Sequence, residues 1–151
     1  MYQILLFLIT NLLIITPPNI QGSYKHSYKN GAFQMIDINY CKSGKILFYP
    51  EANRGATDYN SGAMYGELNY NAKAGYYEYI PADAEDCKLR VKKQGTSIII
   101  KTLKGDCGFG YGVQADGSYP FKSSSNPQYI ITRANKKVYF ENTPPNRFSE
   151  D

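Results

Sequence analysis

The chain has 151 residues, 17 basic and 13 acidic side chains, a net charge of +4, three cysteines and a single histidine. That length supports one domain with a proper core and excludes two. The lone His26, close behind an apolar leader, argues against a His-based metal site and against Ser–His or Cys–His nucleophilic catalysis.

Taken in chain order, Met1 to Gly22 contain no charged side chain, and Ile4 to Ile15 form an almost unbroken apolar run ahead of Pro17-Pro18. This is the outline of a secretory leader, with the cleavage site read from Ile20 and Gly22. The run falls short of the roughly 20 residues that a membrane-crossing helix needs, so the mature form is expected to have no stable membrane span. Residues 1–22 are therefore expected to be a signal peptide, residues 23–142 the folded domain, and residues 143–151, with two prolines and no apolar pattern, a flexible tail. Periplasmic or secreted location follows, and nucleic acid is not an expected partner there.

The rest of the chain has the period of strands. Phe33–Tyr40 alternates over its second half, Lys45–Tyr49 is short and apolar, and Tyr76–Ile80 follows a glycine. Further on, Cys87–Val91, Ser97–Leu103, Phe109–Ala115, Ser118–Phe121, Gln128–Thr132 and Lys137–Glu141 come in close succession. Asp116-Gly117 reads as a two-residue type I′ hairpin turn, and Asn53–Ala63 as the longest loop. No window has a convincing helical period. The pattern predicts an all-β fold, a single antiparallel meander that closes into a small barrel or packs as a sandwich. The basic runs Lys88–Lys93 and Arg133–Lys137 read as solvated strand faces and hairpin tips, with an anionic surface or an acidic protein as the alternative reading.

Cysteines in an exported chain are expected to pair. Cys87 and Cys107 flank a hairpin with its turn at Gln94-Gly95-Thr96, so a disulfide is expected there, leaving Cys41 free and buried or paired between chains. The spacing also permits Cys41–Cys87 and Cys41–Cys107. Around Cys107, alternation would put Gly108, Gly110 and Gly112 on one strand face and Cys107, Phe109, Tyr111 and Val113 on the other, which suits a barrel corner or close approach by a ligand. The G-x-G-x-G spacing with no helix after it does not meet the dinucleotide fingerprint, and no cofactor is expected.

The stretch Cys107-Gly-Phe-Gly-Tyr-Gly-Val-Gln-Ala-Asp-Gly-Ser-Tyr119, followed by Pro127 and Val138-Tyr-Phe140, resembles a motif of small exported bacterial β-barrel proteins; the resemblance implies fold and not chemistry. A second set, Tyr40-Cys41-Lys-Ser-Gly44-Lys45, Phe48-Tyr49, Ser61-Gly62-Ala-Met-Tyr65, Tyr70, Lys73 and Gly75, is similar to the membrane-bound and periplasmic C-type lysozyme inhibitors. In that family the Ser-Gly-x-x-Tyr loop and a Lys-Gly pair enter the lysozyme cleft; here Ala74 separates Lys73 from Gly75. The resemblance implies that Ser61, Gly62, Tyr65, Tyr70 and Lys73 form a partner-binding site, with Lys73 meeting the acidic catalytic residues of the target.

The acids Asp83, Glu85, Asp86 and Asp106 would permit a carboxylate pair near the disulfide, although a solvated acidic loop is the expected reading. Fifteen tyrosines and no tryptophan favour contact surfaces. The expectation is a non-enzymatic binding protein. It would be an inhibitor or immunity-type partner of an envelope or extracellular protein such as a lysozyme-type cell-wall hydrolase, or alternatively a calycin-like carrier of a small apolar or glycan ligand inside the barrel.

Overall fold

The computed structural model describes residues 16–81, 86–105 and 107–150; Met1–Ile15 of the expected leader and the acids Asp83, Glu85 and Asp106 lie outside them. Among the described residues eleven strands are formed: β1 (Gly22–Ser27), β2 (Phe33–Tyr40), β3 (Ile46–Asn53), β4 (Ser61–Ala63), β5 (Gly66–Asn71), β6 (Tyr76–Tyr79), β7 (Lys88–Gln94), β8 (Ser97–Lys104), β9 (Gly117–Ser123), β10 (Tyr129–Ile131) and β11 (Lys137–Tyr139). β1–β2, β2–β3, β5–β6, β6–β7, β7–β8 and β8–β9 pair antiparallel, β3 also pairs with β5, and β9 returns to β1, so the meander closes into an eight-stranded barrel. The short β4 extends the pairing of β3 beyond β5.

Alternation fills the barrel. Tyr24, Ile36, Ile38, Phe48, Leu68, Tyr77, Leu89, Val91, Ile98, Ile100 and Tyr119 point inward from successive strands and form one buried cluster. Both mouths are stoppered. At one end Ile20 is fully buried in the cluster; its N–H donates to the Tyr40 hydroxyl (3.2 Å), and its carbonyl accepts from Tyr24 (3.1 Å). The neighbouring carbonyls of Pro18 and Asn19 accept from Tyr77 and Lys93, each at 2.8 Å. At the other end the loop between β8 and β9 inserts Phe109 and Ala115. The segment ahead of Ser23, read as leader, therefore contributes Gly22 to β1 and Ile20 to the core.

A second core lies outside the barrel. Leu47 and Tyr49 alternate with the inward Phe48, and they are covered by Ile130 and Val138 of the β10–β11 hairpin and by Phe140. Residues 143–150, expected as a flexible tail, are placed against this core: a 3-10 turn (Pro145–Arg147) leads Phe148 onto the Tyr65 ring, centroids 4.6 Å apart. Beyond it, Glu150 accepts from Tyr49 (3.0 Å) and pairs with Arg133 (3.3 Å). Apolar spacing does not reveal this, because the segment docks through one ring, one carboxylate and the Thr143 carbonyl.

Three other expectations are corrected. Phe109–Ala115 is loop, and Cys107, Gly108, Gly110 and Gly112 all have positive φ, so the glycines supply left-handed turns and do not make one face of a strand. Asp116-Gly117 is no hairpin turn: β8 runs past Ile100, which pairs with Gly117, and the chain returns through a long loop. Asp116 instead fastens that loop, accepting from the Thr102 N–H (2.6 Å) and hydroxyl (2.5 Å). Finally, Asn53–Ala63 is not loop throughout, since it ends in β4.

Candidate functional site

The disulfide joins Cys87 and Cys107 as expected, with Cα atoms 4.7 Å apart. It ties the start of β7 to the loop 105–116. Cys41 is free and buried, its thiol donating to Asn39 Oδ1 (3.1 Å), and burial pushes its pKa up.

The other expected site residues do not converge. Ser61 and Gly62 lie in β4 at the end of the barrel that carries the loop 105–116; the Ser61 carbonyl accepts from Arg133 Nη1 (3.2 Å), and the Phe109 carbonyl sits directly over the Gly62 α-carbon. Tyr65 is buried against the second core, stacked between Phe140 and Phe148, and its hydroxyl donates to the Thr143 carbonyl (2.8 Å). Burial raises its pKa, as expected of a phenol that works as a strut. Tyr70 packs on the core with its ring 5.0 Å from that of Tyr77. Lys73 is exposed in the β5–β6 turn. Because β5 pairs with the start of β3 and β4 with its end, Ser61 and Lys73 lie at opposite ends of the barrel. The motif is met in sequence, but its tyrosine is used to hold the C-terminal segment.

His26, read from the sequence as lying close behind the leader, is held in β1 opposite Gln34 and stacks on Tyr28 (4.3 Å between centroids). Asp86 is exposed, 3.5 Å from Lys104. Among the described residues no three His, Cys, Asp or Glu side chains gather as a metal site.

What the fold does assemble is a surface at the loop end. The loop 105–116 leaves β8 at Lys104, is pinned by the disulfide at Cys107, buries Phe109 in the barrel mouth, and then turns Tyr111 into solvent. Tyr111 is 91% exposed, and Tyr59, on the neighbouring β3–β4 loop, is 65% exposed. Beside them runs an open cleft of about 290 Å³ whose lining includes Tyr28, Phe33, Arg54, Gly112 and Gln114. Arg54 lies against Gly112 and 3.7 Å from Asp58. The cleft walls are braced from behind: Asn30 Nδ2 donates to the Arg54 carbonyl (3.2 Å), Asn53 accepts from the Gly55 N–H (2.6 Å), and Gln34 Nε2 donates to the Asp116 carbonyl (3.0 Å). The arrangement offers aromatic contact area, a cation and braced backbone, which are the means of recognition.

Sequence reasoning missed this surface because it placed Phe109–Ala115 in a strand. A glycine at every second position after a cysteine was the signal, since glycine is the residue that tolerates repeated positive φ. Comparison with protein families, with curated proteins and with solved structures yields no match for this chain.

Proposed function

We propose that the chain is an exported, non-enzymatic binding protein that engages a macromolecular partner through the loop end of its barrel, with Tyr111 as the anchor. The observation that carries this reading is a tyrosine 91% exposed on a loop whose two neighbouring fixed points are a disulfide and a buried phenylalanine. An exposed aromatic normally lies down on its own surface. One held out on a braced loop loses little conformational freedom when a partner closes over it.

The inhibitor reading is kept with its contact surface relocated. A lysozyme-type cell-wall hydrolase, whose active site is a cleft, is the first partner to test, and Tyr111 with Tyr59 and Arg54 replaces the dispersed Ser61, Tyr65 and Lys73. Carriage of a ligand inside the barrel has no support from an interior filled from Ile20 to Phe109.

The experiment measures lysis of a peptidoglycan suspension by C-type, G-type and I-type lysozymes with and without the purified chain, alongside capture of partners from envelope extracts. Inhibition is expected to require near-stoichiometric protein, and Tyr111→Ala to weaken it by about tenfold or more, as for a hot-spot aromatic, with an unchanged melting temperature. Unchanged lysis for all three classes removes the hydrolase. Envelope capture that is indifferent to Tyr111→Ala removes the loop as the contact.

A further inference from the structure

The basic run Lys88–Lys93 acquires a definite geometry in the barrel. Strand β7 turns Leu89 and Val91 into the core, which leaves Lys88, Arg90 and Lys92 on the outer wall in a row with steps of roughly 6.6–6.8 Å, the two-residue repeat of a strand. On β8 the inward Ile98 and Ile100 leave Lys101 outward, and the register sets it directly opposite Arg90. Two cations facing each other across a strand pair repel. Both strands are interior members of a closed barrel, so protection of a sheet edge does not explain the charges.

One carboxylate approaches this row from the other side. Glu78 of β6 lies opposite Arg90, but its carboxylate is engaged by Lys88 Nζ (2.9 Å) and Asn71 Nδ2 (3.1 Å). Arg90, Lys92 and Lys101 have no carboxylate partner among the described residues. Arg90 is not loose, however. Its guanidinium lies over the Tyr76 ring, 5.8 Å from the centroid, and its Nε is buried without a hydrogen bond. A guanidinium held against an aromatic ring, beside two ammonium groups that have no carboxylate partner among the described residues, forms a fixed cationic row on the outer wall.

We propose that the outer wall of β7 and β8 binds a linear polyanion, with Arg90, Lys92 and Lys101 taking its phosphate or sulfate groups. The row is narrow, two strands wide on a convex wall, and this shape fits a chain-like ligand better than a planar lipid surface. Exposed aromatics that would enter a bilayer, such as Tyr111 and Tyr59, belong to the loop end and not to this row. The guanidinium also favours oxyanions over neutral polymers. This site is separate from the Tyr111 loop, and neither reading depends on the other.

The test is fluorescence anisotropy of labelled long-chain inorganic polyphosphate titrated with the full chain. Binding is expected to weaken with salt, as counterion release requires. Arg90→Gln with Lys101→Gln is expected to weaken it about tenfold, whereas Lys42→Gln with Lys73→Gln, which removes the same charge from turns, is expected to change it less than about twofold. The first pair points outward, so melting should hold or rise as repulsion is relieved; should it fail to fold, Lys92→Gln with Lys101→Gln carries the same test. Equal losses in both doubles would reduce the effect to diffuse net charge and overturn the site. So would no binding near physiological salt, about 0.15 M. Tighter binding of anionic lipid vesicles or of polyglutamate, lost in the same variant, would overturn the polymer in favour of a membrane surface or an acidic polypeptide.

Discussion

Gly62 shows how one residue type is fixed by what rests on it. A β-carbon there would overlap the Phe109 carbonyl, which is backbone and cannot rotate away, so any side chain lifts the loop from β4. Gly108 in the same loop has positive φ but open space where a side chain would go. Gly62→Ala is therefore expected to destabilise by about 2–3 kcal/mol, the scale of forcing volume into a packed contact, and to make residues 107–112 sensitive to limited proteolysis. Gly108→Ala is expected to lose only about 1 kcal/mol, from left-handed strain alone, with the loop still protected. Thermal melts and proteolysis of the two variants make the comparison. Equal protection in both would mean that the loop does not bear on β4.

At the scale of elements, β2 was legible to the residue, from Phe33 to Tyr40, because its inward Ile36 and Ile38 alternate with polar neighbours. The β7–β8 hairpin was legible because its turn is closed by Gly95 between strands of matching apolar parity. What escaped was structure fastened by single groups. The segment 16–21 carries no strand period; it is held by Ile20, by two carbonyls accepting from Tyr77 and Lys93, and by the Tyr40 hydroxyl. Its apolar composition reads as the tail of a leader because export signals and core plugs draw on the same residues. The difference has a measurable consequence. A chain beginning at Ser23 is expected to lose about 2–5 kcal/mol relative to one beginning at Thr16, the range for removing a buried Ile side chain. If the chain is exported as proposed, its mature form is correspondingly expected to keep a terminus ahead of Pro18. Denaturant melts of the two chains and the intact mass of the exported form check this. Equal stability, or a mass that begins at Ser23, would return the segment to the leader.

At the scale of the whole molecule, the inside of the barrel is filled by the chain's own side chains. An eight-stranded barrel is wide enough to hold one small ligand or to be filled by its own side chains, and here Tyr24, Phe48, Tyr77 and Tyr119 occupy it while Ile20 and Phe109 stopper the ends. The buried phenols are compatible with this because each tip has a partner: Tyr77 donates to the Pro18 carbonyl (2.8 Å), Tyr119 to Ala115 (2.6 Å) and Tyr24 to Ile20 (3.1 Å). Burial raises the pKa of all three, so they stay neutral donors across the physiological range. Two of those acceptors belong to the N-terminal plug and one to the loop 105–116, so a ligand entering by either mouth would have to displace a stopper and leave a phenol unpaired, a cost of about 1–3 kcal/mol for each such group. The native chain is therefore expected not to brighten an apolar fluorescent probe or to gain melting temperature from fatty acids or other small apolar ligands. Phe109→Ala, which removes one stopper, is expected to lower stability by about 3–5 kcal/mol and to bind the probe, while Tyr111→Ala, two residues further along the same loop, should do neither. Uptake of one apolar ligand per native molecule, with a rise in melting temperature, would show that the stoppers open readily and would restore the carrier.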